Sequence, residues 1–268
     1  MELFAKLLDY GEYLKNNPFH ENLEINVEDF SSLDKKIIRE TYYSVDPDST
    51  SPYTAELDDL IRLHYLVTSR RVTTVLEIGV GKSTIVFDHA LEQNKLNYGD
   101  FVYKNLRRTN PFECHSVDNN KEWIEVTKST NTSIKNITFH HCPCNVTTFN
   151  GRICTLYENF PNICPDLIYL DAPDQFSPTG DVRGISTNHP DRLPMSADIL
   201  TFEHFLLPGT LIVVDGRTAN ARFLKANLQR DWSYHHSVEY DQHFFELIEE
   251  PLGIYNQRQI EFCLKSDN

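Results

Sequence analysis

The chain has 268 residues, 40% hydrophobic and 24% charged, with a formal net charge of -14. It is long enough to bury a core without disulfides or a structural metal. An acidic body of this kind repels phosphate backbones and anionic lipid, which argues against nucleic acid and membrane as partners. No basic stretch followed by a long apolar run opens the chain, and no segment reaches the ~18 apolar residues of a membrane span, so a cytoplasmic protein is expected.

Residues 1–52 read as an N-terminal helical cap. Leu3, Leu7, Tyr10 and Leu14 recur at helical spacing, and Asn26 with Glu28 and Asp29 starts a second helix to about Tyr43. Ser44 to Pro52 is rich in Pro, Asp and Ser and reads as a loop. A third helix over 53–69 presents Leu57, Leu60, Ile61, Leu63, His64 and Leu66 on its inner face. From residue 53 the rest reads as one domain in which strands alternate with helices.

Strands are predicted over 73–78, 114–118, 137–141, 166–171 and 210–215, with helices from Ser83 to about Asn94, Trp123 to about Ser129, Ala197 to Leu206 and Thr218 to Gln229. Residues 94–111 read as an insertion. Two late β-type runs, about Ser233–Glu249 and Gln259–Lys265, suggest an antiparallel pair at one edge. The apolar strands imply a sheet covered on both faces. The expected fold is α/β: a Rossmann-like, mostly parallel seven-stranded sheet with an antiparallel edge hairpin and an N-terminal helical cap. Cys114, Cys142, Cys144, Cys154, Cys164 and Cys263 lack paired C-x-x-C spacing and read as reduced thiols. A metal reading of His140, His141, Cys142 and Cys144 is the alternative.

In an open parallel sheet the ligand lies beyond the carboxyl ends of the strands. There the first strand runs into Glu77-Ile78-Gly79-Val80-Gly81-Lys82-Ser83-Thr84. Gly81-Lys82-Ser83 looks like the end of a phosphate-binding P-loop, but Leu76 occupies the position of its first glycine. A dinucleotide fingerprint would need Gly or Ala at Thr84. Neither explains Glu77. Both nucleotide-binding readings stay as alternatives, as does a non-catalytic scaffold of the same fold.

Four motifs, in order, resemble those of class I S-adenosylmethionine (SAM)-dependent methyltransferases: Glu77-x-Gly79-x-Gly81, Asp118 ending the second strand, Pro165 to Asp171, and Leu206 to Asp215. The resemblance covers about residues 55–265. It implies SAM as cofactor, with contacts from Glu77, Gly79, Gly81, Ser83, Asp118 and Asn145. It makes Asp171 the expected base for an acceptor hydroxyl, with His189 as a second candidate. Some small-molecule O-methyltransferases hold magnesium through aspartates after the fourth and fifth strands. Asp171 and Asp215 match two of those places, whereas Gly216 stands where a further acid would be. The polar segment 175–196 reads as a substrate loop. Arg183, Arg192 and Arg217 are expected to hold an anionic group of a small-molecule substrate, by analogy a sugar or another metabolite, including those of surface-glycan pathways. Homodimers are common among such enzymes.

Overall fold

A computed structural model describes residues 8–23, 25, 27, 57–130 and 134–264. The expected helix at 26–43 and the loop at 44–52 lie outside the described residues, apart from Val27. Helix α1 (Tyr10–Asn16) begins at Asp9, whose carboxylate accepts from the Glu12 amide at 2.9 Å. A 3-10 turn follows at Phe19–Leu23, and α2 spans Leu57–Ser69. Leu14, Phe19 and Leu23 bury against Leu57, Leu60 and Ile61 of α2 and against Ile85 and Val86.

The remaining elements are β1 (Thr74–Ile78), α3 (Lys82–Asn105), β2 (Glu113–Asp118), α4 (Lys121–Thr130), β3 (Ile137–His141), β4 (Cys144–Phe149), β5 (Arg152–Tyr157), β6 (Leu167–Leu170), α5 (Asp198–Phe202), β7 (Leu211–Asp215), α6 (Thr218–Asn227), β8 (Trp232–Ser237), β9 (Gln242–Leu247) and α7 (Ile254–Leu264). Seven strands form one sheet in the order β3-β2-β1-β6-β7-β9-β8, and β4 and β5 form a separate hairpin. β9 pairs antiparallel with both neighbours, while the pairs among β3, β2, β1, β6 and β7 are parallel. β9 therefore alone runs against the rest of the sheet.

The apolar strands divide their side chains between two cores, as the two-residue period requires. Leu76, Ile78, Ile168, Leu170, Ile212 and Val214 pack with Ile199 and Leu224 on one face. Val75, Tyr169, Leu211 and Val213 pack with Leu66, Phe87 and Leu91 on the other. Among the described residues no helix is long and apolar enough to cross a membrane.

Three expectations are corrected. The edge hairpin lies wholly within the first late run, because the chain turns back near Asp241, which has a φ of 50°. The second run, expected as a strand over 259–265, is helix α7, with Phe262 buried against Val102 and Phe112. Helix α3 also continues through the expected break at Asn94. That side chain is buried and donates to the carbonyls of Val67 and Val72 at 2.9 Å each, so it ties α3 to α2 instead of capping it.

Asp166 clamps the amino ends of β1 and β6. It accepts from the Thr73 amide (2.9 Å), the Thr73 hydroxyl (2.6 Å), the Thr74 amide (3.1 Å) and the Gln259 side chain, and it pairs with buried Arg108 at 3.1 Å. Asp166→Ala would strand the Arg108 charge and several donors. It should lower the unfolding free energy by about 3–5 kcal/mol in urea titrations; a loss below about 1 kcal/mol would show that the clamp is not structural.

Candidate active site

β2 and β3 lie on one side of β1, and β6 and β7 lie on the other, so the strand order reverses beside β1. Only Gly79, Val80 and Gly81 separate the end of β1 from the start of α3. A turn this short cannot wrap a phosphate chain as a P-loop does.

The two glycines serve different ends. Gly79 has a φ of 112°, and a Cβ there would meet the Ala172 Cβ and the Asp171 carbonyl carbon at 3.0 Å. It is required by the close approach of the segment after β6. A Cβ on Gly81 would meet nothing within 4 Å, so this glycine faces open space. Backbone and side-chain bonds fix the turn. The Gly79 amide donates to Val117 O (2.8 Å), the Val80 amide to Asp118 Oδ2 (3.0 Å) and the Gly81 amide to Thr84 Oγ1 (3.0 Å). The Trp123 indole of α4 donates to Val80 O.

Glu77 lies beneath the turn, fully buried. Its Oε1 accepts from the Ser83 hydroxyl, and its Oε2 from those of Thr84 and Ser116, all at 2.6 Å. Ser116 is its neighbour across the β1–β2 register. Burial, offset by these hydroxyls and reinforced by the charge of Asp171, pushes the Glu77 carboxyl up to about 7. Glu77, Ser83 and Thr84 thus form a support under the glycine turn.

Asp118 ends β2 and is buried. Its Oδ2 accepts from Val80 N and its Oδ1 from Asn120 N at 2.7 Å. These amide bonds leave acceptor capacity, since a carboxylate offers about four lone-pair sites. Burial raises its pKa, against bonds from the Val80, Asn120 and Asn119 amides.

Asp171 follows β6 with its side chain 50% exposed, and its Oδ1 pairs with Arg217 Nε at 3.1 Å. The same guanidinium donates to Pro173 O at 2.7 Å and Asp171 O at 2.5 Å. Arg217 thus holds the segment after β6. Asp215 accepts from the Tyr169 hydroxyl at 2.9 Å.

Other sequence-predicted residues sit farther out. Asn145 donates to Glu158 at 2.6 Å and accepts from Thr179 at 2.7 Å, pinning the 175–196 segment to the β4–β5 hairpin. Arg192 donates to Ser186 O (2.7 Å) and His189 accepts from Asp191 N (3.1 Å), both within the loop, and Arg183 is exposed on it with a φ of 59°. The loop reaches the site through Ser177, which donates to Asn119 beside Asp118 at 3.3 Å. Asn119 and Trp123 are the site residues that sequence reasoning missed. Among the described residues no group of three or more His, Cys, Asp or Glu is arranged to hold a metal. His140 instead stacks on His115, with ring nitrogens 3.0 Å apart.

The sheet is Rossmann-like and mostly parallel, with a single reversed strand. No family model and no curated protein matches the chain. Among solved structures, the SAH-bound methyltransferase PaMTH1 of Podospora anserina is similar over 92% of this chain and 89% of its own, at 10% identity and TM-score 0.46. The O-methyltransferase of Bacillus cereus in complex with SAH is similar over 92% and 93%, at 13% identity and TM-score 0.40. TomG of Streptomyces achromogenes, an O-methyltransferase of tomaymycin synthesis solved with SAM, is similar over 91% and 100%, at 12% identity and TM-score 0.40.

A carboxyl whose pKa rises on folding binds more protons in the native state. The Glu77 contribution to stability should therefore fall as pH rises from 4.5 to about 7. In urea titrations across that window, Glu77→Gln should keep the fold and lose this component, so its stability relative to wild type should rise with pH. Parallel curves for the two proteins would show that Glu77 does not titrate there.

Proposed function

We propose that the protein is a SAM-dependent methyltransferase that methylates an oxygen of a small polar acceptor. The observation that carries this reading is the rigid glycine turn at the strand-order reversal, with the open face of Gly81 beside the buried carboxylate of Asp118. The fit to SAM is chemical. Asp118 keeps acceptor capacity on both oxygens for a pair of ribose hydroxyls, and Gly81 allows close approach to the backbone. Glu77 acts by fixing the turn, since its oxygens are occupied by three hydroxyls. When bound, SAM supplies a methyl group on a sulfonium, a good electrophile that needs an acceptor held in line.

Asp171 is the base of this reading. It stands at the end of β6 with an exposed carboxylate, and the Arg217 guanidinium holds one oxygen in place. Its carboxylate is the group offered to the acceptor hydroxyl. Arg217 is therefore a positioning residue for Asp171, and recognition of an anionic acceptor group falls to Arg183 and Arg192 on the substrate loop. That loop, 175–196, would close over the acceptor from its anchors at Asn119 and Asn145. Asp171 is ion-paired to Arg217, Asp215 is bonded to Tyr169, and among the described residues no three acids, histidines or cysteines are arranged to hold a metal, so this donor set does not fit magnesium and no step is routed through one. The boundary near residue 52, with the segment before it as a cap, belongs to the same reading, and a sugar-like metabolite suits the polar loop.

Gly81→Val should place a side chain in the open space over the turn, abolish SAM and SAH binding in calorimetry and leave thermal melting nearly unchanged. Gly79→Val should instead destabilise the fold, because its Cβ meets Asp171 and Ala172. In transfer of labelled methyl from SAM to a panel of sugars and hydroxylated metabolites, Asp171→Asn should keep SAM affinity and lower turnover by about a hundredfold or more. Full turnover in Asp171→Asn would remove Asp171 as the base, and undiminished SAM binding by Gly81→Val would remove the proposed site.

A further inference from the structure

One buried polar atom beside the candidate active site has no part in it so far. Tyr157 ends β5 with 7% of its surface exposed, and its hydroxyl has no hydrogen-bond partner among the described residues. A buried hydroxyl left unpaired is a cost that folded proteins rarely carry. The backbone around it is well tied: the Tyr157 amide donates to Asp198 Oδ1 at 2.9 Å, and the Glu158 amide to Pro143 O at 2.8 Å. Tyr157 belongs to the same core as Cys142, Cys144 and Ala172.

Strand pairing brings this residue to the side of Asp118. Cys142 follows β3, and its amide donates to Asp118 O at 2.9 Å. Two residues on, Cys144 is the register partner of Tyr157 across the β4–β5 hairpin. Burial, and then the neighbouring Cys144, Asp118 and Asp198, push the Tyr157 hydroxyl well above its ordinary pKa, against Arg217. At neutral pH it is therefore protonated, with one donor and two acceptor lone pairs. Asn145, the residue expected to make a cofactor contact here, spends its amide on Glu158 and Thr179. The 175–196 segment runs along both sides of the hairpin: Thr179 N donates to Cys144 O, and Thr155 N to Met195 O, at 2.9 Å each.

We infer that the Tyr157 hydroxyl is a specificity-determining contact of the SAM site, made to the adenosine half of the cofactor on the side of its base. The inference rests on the proposed SAM reading. In that reading the ribose hydroxyls go to Asp118 at the end of β2, and the methyl end lies by Asp171 after β6. The strand order β3-β2-β1-β6 then directs the base past β2, towards β3 and the hairpin that follows it, where Tyr157 stands. A phenol hydroxyl donates to a ring nitrogen of adenine or accepts from its amino group. The contact forms as the 175–196 segment lifts from the hairpin to admit the ligand.

The test compares the intact wild-type chain with Tyr157→Phe, which removes one oxygen and keeps the ring. Without ligand the variant should melt no lower than wild type, because the oxygen lost is an unpaired buried one. In calorimetric titrations wild type should bind SAH and methylthioadenosine, which share the adenosine half, and the variant should bind both at least about tenfold more weakly. Melting lowered by more than about 2–4 °C would mean that the hydroxyl is paired within the fold, and would overturn the inference. Unchanged SAH affinity in the variant would overturn it and leave the SAM reading standing. The same holds if SAH is weakened while methylthioadenosine is unaffected or does not bind at all. Absence of SAH binding by wild type would remove the reading and the inference together.

Discussion

The glycine turn between β1 and α3 rests on one buried carboxylate. Glu77 sits in the core and, among the described residues, has no cationic partner, an expensive placement for a charge. Three hydroxyls offset that cost, two from the first turn of α3 and one from β2. Because the same side chain joins β1, α3 and β2, the turn cannot shift without breaking these bonds. The pKa raised to about 7 reflects desolvation that outweighs the three hydroxyls. A ligand meeting this turn finds a backbone already in position, which lowers the ordering cost of binding.

The rest of the site is arranged around that fixed point. Asp118 and Trp123 hold Val80 from the β2 side, and the segment after β6 packs on Gly79 from the other. Arg217, from the segment between β7 and α6, ties the backbone and side chain of Asp171 together. The crossover from β3 to β6 carries the β4–β5 hairpin, and Asn145 on that hairpin anchors the substrate loop. One half of the site is thus rigid and made by the sheet, and the other half is a long polar loop held at a few points.

The sheet strands β1, β2, β6 and β7 were legible because their apolar runs are short and end in acids or glycines at the same edge. β8 and β9 merged into one run because polar residues such as His235, His236 and His243 blur the turn between them. α7 was misread as a strand because a short apolar stretch carries no periodicity that separates helix from strand. Glycine turn and acids were visible at the site, but their partners were not. Ser116 reaches Glu77 only through strand register, and Arg217 was expected to face substrate yet is engaged by Asp171. Asn145, read as a cofactor contact, spends both ends of its amide on the loop and hairpin. Such engagements depend on tertiary neighbours that no local pattern encodes.

The central claim is that the turn at Gly79–Gly81 receives SAM. Calorimetric titration of the wild-type chain with SAM, SAH, ATP and NAD tests it most directly, with thermal melting followed in parallel. Saturable binding of SAM and SAH alone, with stabilisation of roughly 2.7 kcal/mol at about a hundred times the dissociation constant, is the expected result. Binding of ATP or NAD in their place, or of none of the four, would contradict it.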